Sequence, residues 1–213
     1  MSKSITTPPA TLSYPWLFKP QPPMEEGGRA LYGVVLVFDE KEDLTALKEA
    51  VVAAAVDKWG DKAAGLLRAG KLRNPFRDGE EKDYPTGSTF ISARSEHKPA
   101  VFRKHLDPDS GEPVEIDGDT SDSGVYPGCV VRALVHAYAY DRAGNKGVTF
   151  GLDGIQKWGD GERLDGRVNA ADHFTFEAAT VADLSDLTGE DEDDLPMKKV
   201  KKGGGGDLMD LLK

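Results

Sequence analysis

The stretch CVVRALVHAYAY, residues 129–140, decides the fold class. Side chains alternate across a β-strand. One face therefore collects Cys129, Val131, Ala133, Val135, Ala137 and Ala139, small and apolar, as the inside of a narrow barrel needs. The other face collects Val130, Arg132, Leu134, His136, Tyr138 and Tyr140.

Working outward, several more segments read as strands, separated by Gly, Pro and Asp clusters: LYGVVLVF (31–38), GSTFISARS, KPAVFRK, EPVEI, KGVTFGLDGIQKW and FTFEA. Residues 43–59 instead place Leu44, Leu47, Val51, Ala55 and Trp59 at helical spacing, with Asp43 as N-cap and Gly60 as the stop. Residues 1–28 are proline-rich and read as an extended arm with a short strand at 14–18. The expected architecture is mostly β: an OB-like barrel with one prominent helix. Residues 1–177 form the domain. Residues 178–213 form an acidic tail with a glycine linker, whose composition predicts disorder.

The chain has 213 residues and a net charge of -10. Uniform acidity would repel nucleic acid, but the charge is uneven. From residue 177 onward there are 10 acids and 5 bases, and the loop at 107–124 holds 7 acids and no base. The rest of the body carries 20 acids and 22 bases. Repulsion therefore belongs to two appendages and not to the core. The single cysteine, Cys129, allows no internal disulfide. The N-terminal residues lack the apolar run of a secretory signal, and the longest apolar run, 51–56, is far short of a membrane span. A soluble intracellular protein is expected.

Enzyme signatures are missing: there is no phosphate-loop motif, no G-x-S-x-G elbow and no H-E-x-x-H. The histidines are scattered, and none pairs with Cys129 at metal-ligand spacing. Asp117, Asp119 and Asp122 have calcium-loop character, but Asp122 occupies the position that needs glycine. No catalysis, cofactor or metal is expected.

The mixed cationic and aromatic face of residues 129–140 suits a single-strand nucleic-acid binder, in which rings stack on bases and cations hold phosphates. The alternative is that these side chains pack under the arm or a second strand layer. The combination recurs elsewhere. Trp16 and Lys19 lie in the arm, Arg29 and Tyr32 open the first long strand, and Phe90 and Arg94 share a strand face. Lys146, Phe150, Lys157 and Trp158 follow. With Arg132, Tyr138 and Tyr140 these are the candidate DNA-binding residues. Lys71, Arg73 and Arg77 form a further basic cluster. In the tail, Asp191, Glu192, Asp193, Asp194, Leu195 and Met197 combine acids with apolar residues, as a segment that docks on a basic groove or recruits partners would.

The stretch HAYAYDRAGNKGVTFGLDGIQKWGDGERLDGR (136–167) resembles the most recognisable segment of a tailed-bacteriophage single-stranded DNA-binding protein family, first catalogued as a domain of unknown function. YPWLFKP (14–20), STFISARS (88–95) and VYPGCVVRA (125–133) fit in the same order, so the resemblance spans most of residues 12–176, and 147–162 is its specific part. It implies an OB barrel that coats single-stranded DNA with little sequence preference during phage replication or recombination, in the cytoplasm of the infected bacterial host. Acidic tails of single-stranded DNA-binding proteins generally bind replication partners. Here DEDDLPM departs from the bacterial tip, because it is internal and followed by lysines. The rival reading is an acidic interaction protein that mimics DNA and binds a nucleic-acid enzyme.

Overall fold

The computed structural model describes residues 3–23, 27–118, 124–142 and 144–166. All lie within one compact unit, Met1–Val168. In chain order its elements are β1 (Ile5–Thr6), β2 (Ala10–Gln21), β3 (Leu31–Phe38), α1 (Thr45–Trp59), α2 (Lys62–Arg68), β4 (Arg77–Asp78), a 3₁₀ turn (Gly79–Lys82), β5 (Thr89–Ser95), β6 (Ala100–Leu106), β7 (Pro113–Glu115), β8 (Val130–Arg142) and β9 (Asn145–Gly159).

Five of these strands close into a ring. β8 pairs with β2, β2 with β3, β3 with β5 and β5 with β9, and β9 returns to β8. The β5–β9 seam is parallel; the other ring pairings are antiparallel. This is the expected mostly β, OB-type barrel. β6 and β7 extend the sheet beyond the ring from β9. The β8–β9 hairpin turns with Arg142 opposite Asn145 and Gly144 at φ 83°.

The alternation read in residues 129–140 holds. Cys129, Val131, Ala133, Val135 and Ala137 are buried, and Leu134 and Tyr138 are exposed. The barrel interior adds Leu12, Leu17, Leu36, Phe38, Ile91, Phe150 and Leu152. Each such side chain contributes about 1.5–3 kcal/mol by leaving water. α1 lays Leu47, Val51 and Ala55 against this core.

Three local expectations change. The proline-rich segment is no loose arm: β2 is a full ring strand of 12 residues that buries Ala10, Leu12 and Leu17. Its prolines fall where the register with β3 shifts, between Ser13 and Trp16 and between Trp16 and Gln21, so no ladder is broken mid-run. Asp43 does not occupy the cap position, which is Leu44; its carboxylate accepts from the Thr45 backbone N–H at 2.9 Å, and these bonds to Thr45 hold its acid below the usual range. Gly60 ends α1 with its N–H on the Val56 carbonyl, but α2 then follows. The expected strand FTFEA and the tail lie outside the described residues.

One turn fixes the segment after β9. Gly128 sits at φ 110°, and a Cβ there would lie 1.8 Å from the Glu162 carbonyl oxygen. The Tyr126 hydroxyl donates to that segment at the Gly161 carbonyl (3.1 Å) and accepts the Gly161 N–H (3.2 Å), and the Leu164 N–H donates to the Pro127 carbonyl at 2.9 Å. Residues 160–165 are thereby strapped over residues 125–128.

Two measurements check this packing. Gly128→Ala combines left-handed strain with a backbone clash and is expected to lower stability by about 2–4 kcal/mol in denaturant titration. Burial pushes the Cys129 thiol up from its ordinary value, so thiol reagents at neutral pH should label it only as the protein unfolds.

Candidate nucleic-acid interface

Paired residues on neighbouring strands share a face. His136 pairs with Gly151, Gly151 with Arg94, Arg94 with Gly33, and Gly33 with Trp16. This row crosses the outside of the ring, and its two glycines keep it low. A Cβ on Gly151 would meet the His136 ring at 2.3 Å, and one on Gly33 would meet Arg94 Cγ at 3.1 Å. The His136 ring and the Arg94 stem therefore lie flat along the sheet. His136 Nδ1 is 2.9 and 3.0 Å from the Asp153 carboxylate oxygens, and Ser4 Oγ donates to the same carboxylate at 2.8 Å.

Next to this row is a groove of about 770 Å³. Lys58, Arg73, Arg77, Arg94 and Arg142 line it, against the carboxylates of Glu96 and Asp141. Tyr138, 41% exposed, and Tyr140 form its aromatic wall. Arg73 arrives by close backbone docking: its N–H donates to the Lys146 carbonyl at 2.8 Å and it bridges to Gly147. Any Cβ on Gly147 would lie 2.8 Å from both Arg73 Cβ and its carbonyl oxygen, so the basic loop seats only because residue 147 is glycine. Cations beside exposed rings, at the open face of an OB barrel near its β8–β9 hairpin, can hold phosphates and stack bases.

Of the candidate residues, the structure brings Arg94, Tyr138 and Tyr140 together in this groove. Arg29 stands at its rim with its guanidinium on Glu96 at 2.7 Å, Lys146 pairs with Asp141 at 3.2 Å, and Tyr32 is half-buried opposite Ser95. Lys19 is exposed on β2. Trp158 lies elsewhere, at the far end of β9, with Lys104 4.2 Å and Arg132 5.1 Å from its ring centroid. Lys157 beside it donates to Asp160 at 2.8 Å, and that ammonium holds the Asp160 carboxyl below its usual range. Trp16 belongs to a third place, a trough with Tyr14 and Tyr126.

Two of the candidate rings have no open face. Phe150 is 1% exposed, because it points into the barrel and meets Phe76 edge-on at 5.9 Å. Phe90 does share the outer face with Arg94, as its alternation predicts, yet it is fully buried. Tyr84 packs edge-on against it at 5.6 Å, and the Arg77 guanidinium sits over its ring at 5.0 Å. Together with Val35 and Val37 it forms a small second core outside the ring. A base could reach neither ring. The tail candidates Asp191, Glu192, Asp193, Asp194, Leu195 and Met197 lie outside the described residues.

Several groove residues were not singled out from sequence: Lys58, Arg142 and, beside Trp158, Lys104. Arg73 and Arg77 were visible as a basic cluster, but only the docking on Gly147 shows where that loop sits. Among the described residues no group of three or more His, Cys, Asp or Glu is placed to hold a metal ion, and no helix is long and apolar enough to cross a membrane.

Comparison with known proteins agrees with this architecture. The single-stranded DNA-binding protein from bacteriophage Enc34, solved in complex with ssDNA, superposes with a TM-score of 0.54 at 22% identity, over 76% of this chain and 89% of that one. A C-terminal truncation of the Enc34 protein gives 0.54 at 23% identity, over 76% and 88%. Gp2.5, a single-stranded DNA-binding protein encoded by bacteriophage T7, gives 0.51 at 13% identity, over 92% of this chain and 100% of that one. At such identities the likeness is one of fold. In sequence, protein p50 of Acyrthosiphon pisum secondary endosymbiont phage 1 is 28% identical over 191 residues, 86% of this chain and 94% of that protein. The family model described as the ssDNA-binding protein of Enterobacter phage Enc34 matches residues 3–186, which include every strand of the barrel and the strap, and the chain belongs to that family.

Proposed function

We propose that this protein binds single-stranded DNA without sequence preference and without turnover, coating it during phage DNA replication or recombination in the cytoplasm of an infected bacterium. The observation that carries the reading is the groove: Lys58, Arg73, Arg94 and Arg142, with Arg77 bonded to Glu81, walled by Tyr138 and Tyr140, on the outside of an OB barrel. The rings take base faces, which every base presents, and this makes binding sequence-tolerant. Arg73, Arg94 and Arg142 take phosphates and release counterions, which makes binding salt-dependent. Family membership and the ssDNA complex of the Enc34 protein support the same ligand.

Trp158, with Lys104, Arg132 and Lys157, offers a separate cation-flanked ring. It serves strands long enough to reach the far end of β9. The acidic run at 190–194 competes with DNA for the cationic groove and recruits replication or recombination proteins. Residues 178–213 act in this reading as a regulatory appendage of the domain 1–177.

Fluorescence anisotropy with labelled oligo-dT, salt titration and unlabelled duplex as competitor tests the proposal. The full chain should bind tightly at low salt and resist displacement by duplex. Tyr138→Ala should weaken binding by about 1–3 kcal/mol. Arg94→Ala should also flatten the slope of log affinity against log salt by about 0.7. Absence of binding at low salt, with or without the tail, would overturn the reading. Deleting residues 178–213 should tighten binding by removing an acidic competitor; weaker binding after truncation would remove the competition role.

A further inference from the structure

The segment whose resemblance is most specific runs into the strap, residues 160–165, and no strap residue lines the arginine groove. The strap walls a separate trough. Tyr14 and Trp16 of β2 form one side; Tyr126 and Arg163 form the other. Two features show that the trough is built.

The first is Tyr14. It has φ 48°, a left-handed conformation that strains a non-glycine backbone. It sits where β2 carries one extra residue against β3, between the Ser13–Val35 and Trp16–Gly33 pairs. The bulge turns the Tyr14 ring outward, where it is 56% exposed beside a 37% exposed Trp16. The Lys82 ammonium stands 5.0 Å from the Tyr14 ring centroid and, among the described residues, has no carboxylate partner.

The second is the strap. Tyr126 is held by its hydroxyl bonds to the Gly161 carbonyl and N–H, and the Arg163 guanidinium lies 4.5 Å from its ring centroid. Both walls thus present aromatic rings with a cation alongside.

The trough and the arginine groove lie on the same outer face, one strand apart. Trp16 pairs with Gly33, and Gly33 pairs with Arg94, which lines that groove. Two strand spacings, about 10 Å, separate Trp16 from Arg94, and the glycine between them carries no side chain of its own, only the Arg94 stem lying flat over it. We infer that the Tyr14–Trp16–Tyr126 trough is a second base-stacking subsite, filled by the continuation of a single strand that leaves the arginine groove across Gly33. The inference rests on the proposed function and adds a path and a division of labour to it. The charged residues lining this trough, Lys82, Asp83, Arg163 and Asp165, sum to zero, and Arg163 already pairs with Asp165 at 2.9 Å. Affinity gained here comes from stacking, and the arginine groove supplies the salt dependence.

Salt-titrated anisotropy of labelled oligo-dT on the full chain separates the two. Tyr14→Gly removes the ring and relieves the strained backbone, so folding is not put at risk. It and Trp16→Ala should each weaken binding about 5- to 150-fold, with the slope of log affinity against log salt unchanged. Ultraviolet cross-linking of oligo-dT to the unmutated chain, read by mass spectrometry, should place adducts on Tyr14 or Trp16. Variant affinities within twofold of the parent, a flattened salt slope, or adducts confined to Tyr138 and Tyr140 would each overturn the subsite while leaving the function standing. So would a proline-rich peptide that occupies the trough while oligo-dT stays bound. Failure of the unmutated chain to bind oligo-dT would overturn the function itself, and the subsite with it.

Discussion

The pairing of β8 with β9 is the constraint on which the rest depends. It closes the ring, buries the small face of β8 against Phe150 and Leu152, and leaves the cationic and aromatic face outside. Closure of a narrow barrel requires long strands that coil and bend. β9 does this through two register shifts against β8, at Asp153 and at Trp158. Each extra residue projects outward. Asp153 holds His136, and Trp158 stands between Lys104 and Arg132. The same irregularities that let the barrel close also present chemistry on its surface.

Glycine has a second role here, beyond bending. Gly33, Gly147 and Gly151 keep the outer face low where side chains or backbone must cross it. The Arg94 stem crosses Gly33, the Arg73 loop docks on Gly147 and the His136 ring covers Gly151. Cation positions in the groove are therefore set by what neighbouring strands lack. A basic surface assembled this way is set by geometry as well as by composition, which is how a chain of net charge -10 can gather cations on one face.

Burial also separates rings that look alike in sequence. Phe90 and Tyr138 both lie on outward strand faces. Phe90 is sealed by a segment that arrives from residues 77–84, while Tyr138 stays open. The fate of an outward aromatic depends on whether another part of the chain lies on it, and period-two alternation carries no information about that.

Much of the barrel was therefore legible. The alternation of residues 129–140, the apolar run 31–38 and the helical spacing of 43–59 each name an element, because local periodicity reports which face is buried. The outward placement of Tyr138 and Tyr140 on β8 was legible for the same reason, and so was the unequal distribution of charge. Tertiary structure alone decided that the proline-rich N-terminal segment is a ring strand, since prolines are tolerated at register shifts that only the pairing with β3 reveals. It alone gathered Lys58, Arg73, Arg77, Arg94 and Arg142, from a helix, a loop and three strands, into one groove. Spacing along the chain fixes which way a side chain points, and strand pairing fixes what stands beside it.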